Sequence, residues 1–223
     1  MNTRLLPLAV ASLLLASAAA AQAQSAGARL VKIGVNQISP RVDSGDLSAP
    51  SVPGTKIDVD AATSVIFTAA YMLNDHWSLE FYAGLPYEHD VVGDGAIKGV
   101  GKLGSVKQVS PTLFAQYRFD EVGGVLRPYL GLGLTYAYFF GEKGSGTLTA
   151  LTNAGGAPTR LSAAAGFGPS EQCGATLKLD PHWYLDMGLV KTFVKSKTTL
   201  STGQTIDVKL DPVSSNLSLG YRF

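Results

Sequence analysis

The chain has one cysteine, Cys173, and only three histidines. A lone cysteine cannot close an intramolecular disulfide, so no covalent framework holds the fold. Three scattered histidines with one cysteine lack the ligand spacing of a zinc site. An excess of one charge is missing too. Lys and Arg number 18 against 17 Asp and Glu, and a balanced chain carries no electrostatic signature of a nucleic-acid binder. Past the first 20 residues, no stretch of about 18 apolar residues escapes a charge or polar break, which excludes transmembrane helices there.

The opening segment is the exception. Arg4 supplies a positive start, Leu5 to Ala20 is an apolar run, and Ala21-Gln22-Ala23 has the small-x-small form of a cleavage site. Residues 1–23 are therefore expected to be a signal peptide and 24–223 a single exported domain. Losing Arg4 leaves 17 charges of each sign.

What the sequence does have is alternation. Phe223, Tyr221, Leu219 and Leu217 alternate with Arg222, Gly220, Ser218 and Asn216. Pro111, Leu113, Ala115, Tyr117 and Phe119 alternate with Thr112, Phe114, Gln116 and Arg118. Leu130 to Phe140 repeats the pattern on even positions, and Leu79, Phe81 and Ala83 do so after Trp77. Weaker copies lie at Val31–Val35, Val65–Leu73, Cys173–Leu179 and Trp183–Leu189. Period two is the signature of a strand with two unlike faces. The eight segments predict an all-β fold, an eight-stranded antiparallel transmembrane β-barrel with both termini on the periplasmic side.

The connections are sorted by length. Asn74-Asp75 and Asp180-Pro181 are tight-turn compositions, and Asp120 to Leu126 contains Gly123-Gly124. Residues 40–57, 88–107 and 141–169 read as long loops; residues 201–204 read as a short one out of series. Aromatics cluster at two levels. Trp77, Trp183, Tyr117, Phe119, Tyr221 and Phe223 sit near the short turns, and Tyr136, Tyr138 and Phe140 lie at the far end, as membrane-interface girdles do. A soluble sandwich or lipocalin-like barrel shows the same period with its apolar face turned inward, so alternation alone does not separate the two.

With the polar face turned inward, Lys32, Glu80, Arg118, Lys178, Asp186 and Arg222 enter the lumen in the half near the short turns. Isolated charges in a narrow barrel are costly, so these are expected to pair into a polar plug. Toward the long loops the inward set becomes Ile66, Tyr82, Phe114, Ala137, Phe139, Val190 and Val194. Ile66, Tyr82, Phe114, Phe139, Val190 and Val194 form the expected ligand pocket. An apolar pocket over a charged plug suits a greasy molecule better than an ion, and such a molecule would have to leave sideways into the bilayer.

Other chemistry finds little footing. His76 and His182 fall at short turns and His89 near a long loop, none with a serine or acid placed for nucleophilic catalysis. Gly131-Leu132-Gly133 lies inside a strand with no helix after it, so it is no phosphate loop. The reading is of a protein that is not an enzyme and carries no cofactor or metal.

The chain resembles the OmpW family of small outer-membrane barrels over its whole mature length. The carrying segments are Pro111 to Phe119, Arg127 to Tyr136, Phe139-Phe140, Lys209-Leu210-Asp211-Pro212 and Gly220-Tyr221-Arg222-Phe223. Val213 departs from the family pattern, which places an aromatic after Asp-Pro. The resemblance implies a narrow, partly hydrophobic lumen that admits small apolar molecules across the bacterial outer membrane. It also implies that Tyr221 and Phe223 are read by the barrel-assembly machinery. The expected partners are thus outer-membrane lipid, that machinery and small hydrophobic molecules, with no nucleic acid. The other function considered is a structural or adhesive barrel that acts through its extracellular loops, the segment 141–169 forming a short helix or hydrophobic rim.

Overall fold

The computed structural model describes residues 26–223. The expected signal peptide lies outside the described residues. In chain order the strands are β1 (Arg29–Ser39), β2 (Asp43–Ser44), β3 (Thr55–Val59), β4 (Ala62–Met72) and β5 (Trp77–Gly84). There follow β6 (Tyr87–Gly95), β7 (Lys102–Val109), β8 (Thr112–Arg118) and β9 (Leu126–Gly144). After the helix α1 (Gly146–Thr152) come β10 (Leu161–Ala163), β11 (Gly166–Lys178) and β12 (Trp183–Thr192). The last three are β13 (Lys195–Leu200), β14 (Thr205–Lys209) and β15 (Val213–Arg222).

Eight of these close the wall in the order β1-β4-β5-β8-β9-β11-β12-β15, every neighbour antiparallel. The ring shuts where β1 meets β15, from Leu30 opposite Arg222 to Ser39 opposite Val213. They are the eight segments that alternation picked out, and closure leaves no edge strand in this ring.

The two faces decide between a membrane barrel and a soluble one. Leu132 is 70% exposed and Ile33, Phe67, Phe81, Leu113 and Leu219 are exposed beside it, whereas Glu80, Gln116 and Asp186 are 0% exposed. Polar residues fill the interior and apolar ones form an outward belt, the arrangement a bilayer demands. Gly133 shows how tightly the inside is packed: a Cβ there would lie 2.5 Å from Phe114 Cδ1.

The short turns repeat one design. Asn74 Oδ1 accepts the backbone N–H groups of His76 and Trp77 at 2.9 and 2.8 Å. Asp180 Oδ1 accepts those of His182 and Trp183, both at 2.7 Å. These two bonds hold the exposed Asp180 carboxyl below the usual carboxylate range. His76 stacks on Tyr117 and Trp77 meets it edge-on; His182 and Trp183 treat Tyr221 alike. The girdle near the turns is thus two copies of an aromatic cluster.

At the opposite end the expected loops turn out to be ordered. Residues 88–107 belong mostly to the β6–β7 hairpin, which extends the wall and takes β3 alongside. Gly93, Gly95, Gly99 and Gly101 give this stretch the composition of a loop, and it hides a real alternation in which Tyr87, His89 and Val91 are buried. Residues 201–204 are only the tip of the β13–β14 hairpin, which joins β2 and β10 in a second sheet. The connection from β12 to β15 is therefore long, and the rim is regular after all. Within 141–169 the expected short helix does form, as α1, with Ser145 Oγ capping Leu148 N at 3.1 Å.

Candidate functional site: a lumen in storeys

The lowest full storey is a charged network contributed by strand after strand. Lys32 Nζ on β1 lies 2.8 Å from Glu80 Oε2 on β5 and 3.0 Å from Asp186 Oδ1 on β12. Tyr129 OH on β9 donates to Asp186 at 3.2 Å. Gln116 Nε2 on β8 donates to Glu80 Oε1 at 3.0 Å and to Gln172 Oε1 on β11 at 2.8 Å. Arg118 donates from Nη2 to Gln116 Oε1 at 2.7 Å and from Nε to Ser78 Oγ at 3.1 Å. Its guanidinium lies over the Tyr129 ring, 5.0 Å from the centroid.

Two cations and two carboxylates share this layer, all buried. Dehydrating four charges is expensive, and only mutual pairing with near-complete hydrogen bonding offsets it. Glycines opposite the large side chains make the crossing possible. A Cβ on Gly174 would come within 2.5 Å of the Tyr129 hydroxyl.

Of the six residues expected in the plug, Lys32, Glu80, Arg118 and Asp186 meet in this network. Lys178 and Arg222 do not. They are half-buried nearer the short turns, where they line a cleft of about 320 Å³ together with Arg127, Asp180 and Tyr184.

Above the network four hydroxyls form a row along the inner wall, on the neighbouring strands β8, β9, β11 and β12. Thr112 meets Thr135 at 2.7 Å, Thr135 meets Ser170 at 2.6 Å, and Ser170 meets Thr192 at 2.9 Å. Thr112, Thr135 and Thr192 border a chamber of about 560 Å³, counting the space open to solvent, that Tyr82, Phe114, Ala137, Val190 and Val194 also line. Ile66, grouped with these from the sequence, packs against Tyr82 and Phe114 in a buried cluster instead of lining the chamber. Asn36 Nδ2 donates to the Tyr87 hydroxyl at 2.8 Å on the chamber wall.

The top storey is a basin of about 1250 Å³, counting the space open at its mouth. Phe139 and Val194, two of the residues expected in the ligand pocket, are on its wall. Most of its wall was not anticipated as a site: Leu103, Leu148, Leu161, Leu200, Ile206 and Val208 come from the rim hairpins and α1. The available signal was the short alternation Ile206-x-Val208, together with the leucines of 141–169. His89 is on this wall too. Its Nδ1 lies 2.8 Å from the Asp60 carbonyl oxygen, its ring stacks with Tyr87, and burial holds it below the usual histidine range.

The wall itself is interrupted at chamber height. The β5–β8 ladder ends at Tyr82 opposite Thr112, and the β6–β7 ladder resumes at Tyr87 opposite Gln108. Pro86 and Pro111 lie in the interval and have no N–H to close it. Gly84, Tyr87, Gln108 and Ser110 flank the interval and line the chamber.

The family model described as OmpW family matches residues 25–223. The chain is 30% identical to Outer membrane protein W of Vibrio cholerae over 213 residues, covering 93% of this chain and 94% of that protein. It is 28% identical to Outer membrane protein W of Escherichia coli, covering 97% of this chain and 96% of that one. Among solved structures it is similar to the outer membrane protein OprG from Pseudomonas aeruginosa. That likeness has a TM-score of 0.80 at 28% identity and covers 91% of this chain and 98% of the other.

Proposed function

The chain belongs to the OmpW family of bacterial outer-membrane β-barrels, and we propose that it carries small hydrophobic or amphipathic molecules across the outer membrane. The molecule enters the basin from the long-loop end, which faces outward, and descends into the chamber. The charged network blocks its way straight down. It leaves sideways through the interrupted ladder between Pro86 and Pro111, into the hydrocarbon layer.

One observation supports this reading above the others: a large apolar basin and the chamber below it stand above a closed, fully buried charge network. An apolar molecule gains by entering the first and cannot displace the second, whose charges would lose their partners. An aqueous pore would need the reverse, a wetted path from end to end. Outer-membrane lipid around the apolar belt then becomes the acceptor of the cargo. The barrel-assembly machinery, engaging Tyr221 and Phe223, belongs to biogenesis and not to this cycle.

Uptake of a radiolabelled medium-chain alkane and of the matching alcohol by cells that express the protein, against cells that lack it, tests the proposal. Phe139→Asp places a charge in the basin and should lower uptake about tenfold or more, since an unpaired charge in an apolar site is costly. Replacing Pro86 and Pro111 together by Val restores two ladder donors and should slow uptake while binding persists. Uptake that is the same with and without the protein overturns the proposal.

A further inference from the structure

We infer that His89 makes the basin selective for apolar molecules bearing a neutral hydroxyl, an alcohol or a phenol, whose O–H donates to His89 Nε2. The inference rests on the uptake reading above and names the chemistry of its cargo.

The tautomer carries the argument. A backbone carbonyl oxygen only accepts, so the 2.8 Å contact of His89 Nδ1 with the Asp60 oxygen requires the proton to sit on Nδ1. In the neutral ring Nε2 is then a bare lone pair. That atom is fully buried and has no hydrogen-bond partner among the described residues. The residue is 1% exposed and lies on the basin wall. Its burial disfavours the imidazolium, which keeps Nε2 an acceptor.

Several of the other polar side chains around the basin donate hydroxyl or amide hydrogens to the protein. Thr55 Oγ1 donates to the Val52 carbonyl, Thr152 Oγ1 to Leu148, Ser196 Oγ to Ala164, and Gln108 Nε2 to Ser110 Oγ. Among the side chains that line the basin, His89 therefore offers the single fully buried atom still lacking a partner. It is also tied through Nδ1 to the residue between β3 and β4 and stacked on Tyr87. A fixed, unsatisfied acceptor in apolar surroundings discriminates strongly between a ligand that supplies a donor and an isostere that does not. A hydrocarbon, an ether or an ester leaves it unsatisfied. An ammonium group would bring a donor together with a charge that the leucine-lined basin cannot solvate.

Para-butylphenol and its methyl ether differ by the donor and little else. Their binding to the full-length protein in lipid nanodiscs is measured by isothermal titration, with empty nanodiscs subtracted. The phenol is expected to bind about tenfold more tightly than the ether, as one hydrogen bond to a buried acceptor gives. His89→Leu should weaken the phenol by the same factor and leave the ether within about twofold, removing the preference. Equal affinity of the two compounds for the unaltered protein overturns the inference alone, whatever the variant does. So does a preference that survives in a folded His89→Leu. If neither compound binds the unaltered protein, the uptake reading falls with it.

Discussion

The lower and upper storeys of this lumen are built from the same chain on opposite principles. Below, Lys32, Glu80, Arg118 and Asp186 span the barrel and neutralise one another, and amides and hydroxyls from the wall strands satisfy nearly all of what remains. Above, Leu103, Leu148, Leu161 and Leu200 face a void. The difference follows from geometry. Eight strands at full closure leave an interior that side chains can just fill, so the wall can be polar inside if every group finds a partner. The rim hairpins add a second sheet and a helix to that ring, and the enlarged perimeter outruns its side chains. A filled polar storey gives closure, and an unfilled apolar one gives room for a guest.

The two storeys should therefore respond differently to the same insult. Lys32→Met strands two buried carboxylates and should cost about 3–5 kcal/mol, seen as loss of the compact, heat-modifiable gel band at lower urea. Gly133→Ala drives a methyl into Phe114 and the Leu113 carbonyl at the floor of the chamber and should cost about 1–3 kcal/mol in the same titration. Leu200→Ala truncates a basin wall whose inner side is already open. Less packing is lost, so about 1 kcal/mol is expected, below the usual range for a close-packed leucine. A cost for Leu200→Ala equal to that of Lys32→Met would break the distinction.

The smallest effect concerns pH. In the fold His89 stays neutral to a lower pH than in the unfolded chain, because burial disfavours its charged form. The unfolded chain then binds the extra proton first, and stability declines as pH falls below the ordinary histidine value of about 6.5. His89→Leu should remove that part of the decline. Titrating both proteins from neutral pH down to pH 5 checks it, and parallel curves would show that burial at position 89 has no linked cost.

The wall was legible in the sequence because membrane strands have an unusually strict code. Leu130, Leu132 and Leu134 all meet lipid, and Gly131 and Gly133 all face in, so parity from any one strand places the next. Parity also put Lys32, Glu80 and Asp186 on the inner face although they are far apart in the chain, and strand register brings them to one height. Parity put Lys178 and Arg222 on the same face, where they lie nearer the short turns and outside the network, since it gives the side of the wall and says nothing of depth along it. The basin was the hardest part to read. Its walls come from segments such as Ile206 to Val208 and Leu161 to Ala163, too short for a period to stand out among glycines and serines. The interrupted ladder was equally hidden: it emerges only when the registers on either side of Pro86 and Pro111 are aligned.

The division into storeys meets its most direct test in planar bilayers. If the charged network closes the lumen beneath the basin, the reconstituted protein carries no large, steady, open-pore ionic current at moderate voltage. A sustained open-pore conductance from correctly folded protein would contradict the account at its base, because a lumen that conducts ions freely is not plugged.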